Sequence, residues 1–138
     1  MTGFLNNAKV SSLNCANLNS IGSYAFSSCT TIKTIVFPAI TSMANIHSSA
    51  FYSCSIENVY FDGLTSISST TFNIFSSTVK TICCGGVTSL NGGALFSNYS
   101  KLETISFSGI SSPSNITYGY SSGAFYNCNV KNLYFDGL

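Results

Sequence analysis

The string Val10-x-x-Leu13-x-Cys15-x-x-Leu18-x-x-Ile21 recurs, nearly unaltered, down the whole chain. It returns as Ile32-Ile35-Phe37-Ile40-Met43, Ile56-Val59-Phe61-Leu64-Ile67 and Val79-Ile82-Cys84-Val87-Leu90. It returns again as Leu102-Ile105-Phe107-Ile110 and last as Val130-Leu133-Phe135-Leu138. The copies start 22, 24, 23, 23 and 28 residues apart. A period of this length marks a solenoid: each repeat is one coil, too small to bury its own apolar face, and stacking makes the core continuous. The function class that follows is a display surface, and the repeat alone does not name what the surface meets.

Within each copy the segment around x-Ile-x-Phe alternates apolar and polar, the period of a strand with one buried face. Ile35 and Phe37 should point inward and Val36 outward; Val59 and Phe61 inward and Tyr60 outward. Pro38, Gly63, Gly85-Gly86, Gly109 and Gly137 then turn the chain off the sheet. The next apolar pair, such as Ile40 and Met43 or Leu64 and Ile67, has three-residue spacing, which suits a tight turn on the flank. An Ala-Phe-like pair follows at Ala25-Phe26, Ala50-Phe51, Ala94-Leu95 and Ala124-Phe125, with Thr71-Phe72 as a degenerate fifth. These pairs should form one short helical or 3₁₀ turn that packs a ring back onto the sheet.

The stretch Ala25-Phe26-Ser27-Ser28-Cys29-Thr30-Thr31-Ile32-Lys33-Thr34-Ile35-Val36-Phe37-Pro38, with close copies from Ala50 and Ala124, resembles the BspA-like leucine-rich repeat family. The resemblance covers essentially the whole chain. Two departures stand out: the copy with Leu95-Phe96 lacks the Cys, and about five extra residues lie around Ser111 to Tyr120. The resemblance implies a leucine-rich-repeat solenoid with a parallel β-sheet of about six strands and short helical or irregular segments on the other flank. It also implies a secreted or cell-surface protein engaged in adhesion.

Composition narrows the function further. The chain is 45% hydrophobic but only 7% charged, against about a quarter in typical globular chains. Ser, Thr and Asn fill the polar positions, which suits an extracellular setting. Net charge is +1, there is no Arg, and the five Lys read as scattered. A nucleic-acid partner needs a basic stripe, so none is expected. No apolar run reaches the roughly 18 residues of a membrane span, and Met1 to Val10 lacks the marks of a signal peptide. Residues 1–138 read as a single repeat domain. Residues 1–8 look like the tail of a preceding repeat and Leu138 stops half way through a coil. The expectation is a piece of a longer array whose targeting signal lies outside it, with core side chains such as Phe4 and Leu138 open to solvent.

Chemistry-bearing residues are few. Cys29, Cys54 and Cys128 share one repeat position. Cys29 and Cys54 lie on adjacent coils, close enough to bridge at roughly 5 Å, but a ladder of small buried thiols is the favoured reading. Cys15 and Cys84 replace the inward Phe and should be core, while Cys83 should face outward. One His, His47, and no Cys-x-x-Cys make a metal site improbable. No cofactor is implied. A parallel β-helix enzyme acting on polysaccharide is the rival fold, and it needs two carboxylates about 5–9.5 Å apart. Asp62 and Asp136 sit three coils apart, about 14 Å, and Glu57 and Glu103 two coils apart. No catalytic residue is assigned, and all four carboxylates read as solvated surface or turn residues. A purely structural spacer is the third alternative. Asn98-Tyr99-Ser100 and Asn115-Ile116-Thr117 would be glycosylation acceptors in a eukaryotic secretory route.

The outward face of the sheet remains. Its central row should be Asn14, Val36, Tyr60, Cys83, Ser106 and Tyr134, and its flanking row Ser12, Thr34, Asn58, Thr81, Thr104 and Asn132. The trio Asn58, Tyr60, Asp62 is repeated as Asn132, Tyr134, Asp136. Tyr offers contact area with a polar tip, and Asn offers adaptable hydrogen bonds. These six residues are the candidate binding site for a protein or glycan on another cell or matrix. The competing reading is a Thr/Asn/Tyr ladder that merely suits strand pairing.

Overall fold

The computed structural model describes residues 4–5, 8–68, 71, 73–75, 78–90, 95–97, 99–112, 124–126 and 128–138. Six three-residue strands stack in sequence order into one parallel sheet: β1 (Ser12–Asn14), β2 (Thr34–Val36), β3 (Asn58–Tyr60), β4 (Thr81–Cys83), β5 (Thr104–Ser106) and β6 (Asn132–Tyr134). The register is constant. Leu13 pairs Ile35, Ile35 pairs Val59, Val59 pairs Ile82, Ile82 pairs Ile105, and Ile105 pairs Leu133. Strands this short persist because every coil repeats the same hydrogen bonds to its neighbour. Phe37 donates to the Tyr60 carbonyl, Phe61 to Cys83, Cys84 to Ser106 and Phe107 to Tyr134.

Alternation sorts the faces as the sequence requires. Ile35, Val59, Ile82 and Ile105 are buried, as are Phe37, Phe61, Cys84 and Phe107 one row on. Tyr60, Val36, Cys83 and Ser106 on the other face are half-buried. The first and last coils are more open: Leu13, Cys15 and Phe135 are half-buried, and Leu133 is 40% exposed. Cys15 is therefore a partial, not a full, core residue. Phe4 and Leu138 are exposed.

On the flank the structure corrects two assignments. The apolar ladder after the turn runs through Ile21, Ile46, Ile67 and Leu90, with parallel bridges Ile21–Ile46 and Ile67–Leu90. Ile46 takes the place expected for Met43, because a 3₁₀ turn over Met43–Asn45, capped by the Ser42 hydroxyl on the Ala44 N–H, absorbs three extra residues. The second correction concerns the ring stack. Phe26 stacks on Phe51 at 5.3 Å, Phe51 meets Phe75 at 5.4 Å, and Phe96 stacks on Phe125 at 5.4 Å. Phe96, not Leu95, carries that row; Leu95 is buried beside it, and Ala94 lies outside the described residues. Phe75, on the 3₁₀ turn Asn73–Phe75, supplies the ring of the degenerate repeat, and Phe72 lies outside the described residues. The Ala-Phe segments at Ala25 and Ala50 take the expected tight-turn form, as i→i−3 turns: Ser27 donates to Tyr24, Cys29 to Phe26 and Cys54 to Phe51.

Among the described residues, three non-glycine residues hold left-handed backbone: Tyr24 (φ 57), Ser28 (φ 61) and Ser53 (φ 58). Ser28 and Ser53 occupy one repeat position, two residues after the stacked Phe. The sequence has Asn98 and Asn127 two residues after Phe96 and Phe125; both lie outside the described residues. Tyr24 is the one aromatic among the three. Left-handed backbone costs an L-residue about 1–2 kcal/mol, and a bulky aromatic there is an outlier. Its ring meets Tyr52 at 6.2 Å, edge to face, an arrangement that returns about 0.5–1.5 kcal/mol at best. The two nearly cancel.

Tyr99 occupies the place that Cys29 and Cys54 hold in their coils. It is buried, and its hydroxyl finds no hydrogen-bond partner among the described residues, so burial holds its ionisation far above the usual phenol range. Asn98 and Asn115, the expected glycan acceptors, and most of the Ser111–Tyr120 insertion lie outside the described residues.

Candidate binding surface

The strands carry Asn58 and Tyr60, and Asn132 and Tyr134, while Asp62 and Asp136 fall on the turns that follow. The two trios do not form one cluster. β4 and β5 separate Tyr60 from Tyr134, three strand spacings or about 14 Å. Between them the central row holds only Cys83 and Ser106, in register with both tyrosines. The result is a two-strand floor of small side chains bounded by two rings. Tyr134 is 48% exposed, and Tyr60 is half-buried.

Several of the six residues also serve the sheet. The Asn58 amide donates to the Thr34 hydroxyl at 3.2 Å, and the Asn132 amide to Thr104 at 3.3 Å. Both bonds run from one coil to the one before it, so each Asn ties the stack while its amide oxygen stays available. Asp62 leaves the strand and enters the turn, where its Oδ1 accepts from the Gly85 N–H of the next coil at 3.2 Å. Asp62 is thus a turn cap as well as a surface carboxylate. Asp136 is exposed on the last turn. Cys83 is half-buried rather than freely exposed, and burial first, then the Asp62 charge, raises its thiol above the usual range. It is held as a neutral thiol.

The cysteine ladder is a ladder of thiols. All six cysteines are free. Cys29 Sγ donates to the Leu5 carbonyl at 2.7 Å, Cys54 Sγ to Phe26 at 2.9 Å and Cys128 Sγ to Phe125 at 2.9 Å. Two of these bonds reach the preceding coil. Burial raises the Cys29 and Cys54 thiols above their ordinary value, which keeps them protonated donors. Among the described residues no three His, Cys, Asp or Glu side chains gather as a metal site, and no helix is long and apolar enough to cross a membrane.

The sequence reading missed a charge ladder. Lys33, Glu57, Lys80, Glu103 and Lys131 each sit immediately before a strand, and each donates its N–H to the carbonyl of the one before: Glu57 to Lys33, Lys80 to Glu57, Glu103 to Lys80 and Lys131 to Glu103. Their side chains therefore line up with alternating sign. Glu57 bridges Lys33 at 3.2 Å and Lys80 at 2.7 Å, and Glu103 pairs Lys131 at 2.9 Å. Both glutamates and three of the five lysines belong to this row, so they are neither scattered nor idle. Aligning the one residue before each strand would have revealed it.

Hydrogen bonds from Lys80 and then Lys33 hold the Glu57 carboxyl below its ordinary value, and Lys131 does the same for Glu103. A carboxyl that titrates lower folded than unfolded stabilises the fold above the ordinary glutamate value of about 4.3. That contribution is lost as pH falls through the lowered folded values. The same bond to Glu57 shifts Lys80 upward, so the pair is complete at neutral pH, lost in acid as Glu57 protonates and lost in strong alkali as Lys80 deprotonates. Exposed pairs contribute modestly. We expect the melting temperature to fall as pH drops below about 4.3, and Glu57→Gln to flatten that part of the profile. Repeating the melts in about 1 M salt, where charges are screened within about 3 Å, should shrink the difference between wild type and variant. A Glu57→Gln profile that superimposes on wild type would remove the ladder's role.

The repeat geometry now stands beside the comparison that decides its kinship. A family model for the BspA type leucine rich repeat region matches residues 2–131 in six copies. The chain belongs to the BspA-type leucine-rich repeat family. No curated protein and no solved structure matches it. In this BspA-type chain the features that carry the family pattern are the structural ones: the inward Ile and Phe rows, the stacked Phe of each flank, and the Cys that reaches the coil before it. The outer tyrosines and the flank tyrosines recur in only some coils, and the charge ladder changes sign from coil to coil.

Proposed function

We propose that this chain is a non-catalytic binding module of a secreted or cell-surface protein, and that it contacts a protein or glycan of another cell or matrix through the outer face of its sheet. The observation that carries the reading is the pairing of Tyr60 and Tyr134 across a floor of small side chains in strict register. Aromatic anchors with polar tips beside adaptable Thr and Asn groups are what recognition surfaces use. Asn58, Asn132, Asp62 and Asp136 flank the rings and supply the polar contacts. The neutral, hydroxyl-rich surface supports an extracellular setting. Three of the four carboxylates support the non-catalytic reading: Glu57 and Glu103 are each bonded to lysine, and Asp62 is bonded to the Gly85 N–H. The module is a single repeat domain spanning residues 1–138.

The test is adhesion of the protein to candidate cells and matrix proteins, wild type against Tyr60→Ser/Tyr134→Ser. The substitutions should shift stability by under about half a kcal/mol each if the rings are only surface, and circular dichroism checks this. Loss of two aromatic anchors should weaken attachment by roughly 1–2 kcal/mol each. Equal attachment by a folded double variant would move the contact off this face.

A further inference from the structure

We propose that Tyr24 and Tyr52 form a second binding site, on the flank away from the sheet, and that its ligand is a neutral glycan. The first observation is an imbalance. Tyr24 is held in left-handed backbone at φ 57, a conformation that a tyrosine adopts only at a cost. Strain of that kind usually persists because burial elsewhere over-determines it. Here the ring is 40% exposed and its partner Tyr52 is 64% exposed. The packing of these coils is done beneath them by Phe26 and Phe51, both buried and stacked at 5.3 Å. The edge-to-face contact between the two tyrosines does no more than offset the backbone cost. The fold therefore gains nothing from a tyrosine at position 24, where glycine would sit without strain.

The second observation is the chemistry around the rings. Residues 16–32 and 42–56 contain no Lys, Arg, Asp or Glu. Ser23 and Ser53, exposed, adjoin the two tyrosines in sequence, and His47, also exposed, lies on the neighbouring turn. His47 is drawn beside this turn by its N–H bond to the Ile21 carbonyl at 2.9 Å. Its Nδ1 accepts from the Ser49 N–H at 3.1 Å, which leaves Nε2 as the ring's donor. The one charge the described contacts bring to these segments is the Lys33 ammonium, which donates to the Ser55 carbonyl at 3.3 Å and is already paired with Glu57 at 3.2 Å. A pyranose offers what the site can use: an apolar C–H face for a tyrosine ring and a rim of hydroxyls for Ser23, Ser53 and His47.

Size decides between a glycan and a protein partner. A stable protein interface covers about 800 Å² on each side, and two partly exposed rings on a polar flank supply only a fraction of that. One or two sugar units match it. The site is separate from the outer face of the sheet, so its fate does not depend on the reading of Tyr60 and Tyr134.

The experiment presents neutral hexose and N-acetylhexosamine oligosaccharides to the protein, with sialylated and sulfated oligosaccharides as the charged arm. Wild type should bind a subset of the neutral set. Tyr24→Gly and Tyr52→Ser should each weaken that binding at least about tenfold, the scale of one aromatic anchor. Tyr60→Ser/Tyr134→Ser should leave it unchanged. The melting temperature of Tyr24→Gly should hold steady or rise, because the strain is relieved. The proposal is overturned if wild type binds no neutral oligosaccharide, if it binds only the charged arm or only protein, or if both flank variants bind as wild type does. A clear drop in the melting temperature of Tyr24→Gly would also overturn it, by making the ring a structural element.

Discussion

Phe51→Ala is expected to lower the free energy of unfolding by about 3–5 kcal/mol, the range for truncating a buried aromatic. Phe51 sits at the crossing of two ring rows. It stacks on Phe26 at 5.3 Å, meets Phe75 at 5.4 Å, and touches Phe37 of the sheet row at 6.2 Å. Deleting it leaves three rings facing a void, and the neighbouring coils cannot collapse onto it without breaking their shared register. A loss of this size is a large share of the roughly 5–15 kcal/mol that holds a domain together. Phe51→Leu keeps most of the volume and should cost about 1.5 kcal/mol or less. Urea unfolding followed by circular dichroism measures both. A Phe51→Ala protein that unfolds within about 1 kcal/mol of wild type would mean that the stack contributes far less than buried aromatics usually do.

The second large effect should come from a single added methyl. A Cβ at Gly86 would run into the Asp62 carbonyl oxygen of the coil before it and lie 2.9 Å from the Leu64 oxygen. Both obstacles are backbone, so no side chain can swing aside. Gly86→Ala should therefore push the fourth coil off the third and cost about 1–3 kcal/mol or more, as overpacking of a tight interior does. The same substitution at Gly22 meets nothing within 4 Å. Gly22→Ala should be neutral or stabilising by up to about 1 kcal/mol, through loss of unfolded-state freedom. The pair separates steric closeness from any general effect of removing glycine. Equal melting temperatures for the two variants would show that the coils have slack at this turn.

The stacking order of the strands and their inward rows were legible because they rest on period-2 alternation, which each coil repeats. Ile35 and Phe37 read correctly, and so did their equivalents down to Phe107. The flank was less legible because its backbone is turn, with no fixed period to follow. Met43 matched the apolar spacing, yet the 3₁₀ turn that begins there passes the ladder position to Ile46. Ala94-Leu95 matched the Ala-Phe pattern by composition, yet the neighbouring Phe96 fills the ring stack. Leu95 and Phe96 are both apolar and adjacent, so only three-dimensional register tells them apart. At the candidate site, alternation placed the outer tyrosines correctly. It did not reveal that Asn58 and Asn132 bond to threonines of neighbouring coils, or that Asp62 caps the next turn. Those contacts run between residues more than twenty positions apart, and no single repeat contains both partners. The charge ladder escaped notice for the same reason.

That ladder sets a rule of parity for how such an array can change length. Removing the third coil, which carries Glu57, would set Lys33 beside Lys80; removing the fourth would set Glu57 beside Glu103. Either event replaces attraction with like-charge contact along the row. Losing or gaining two adjacent coils preserves the alternation. Along this row, the unit that can be added or removed without creating a like-charge contact is a coil pair of opposite sign rather than the single coil.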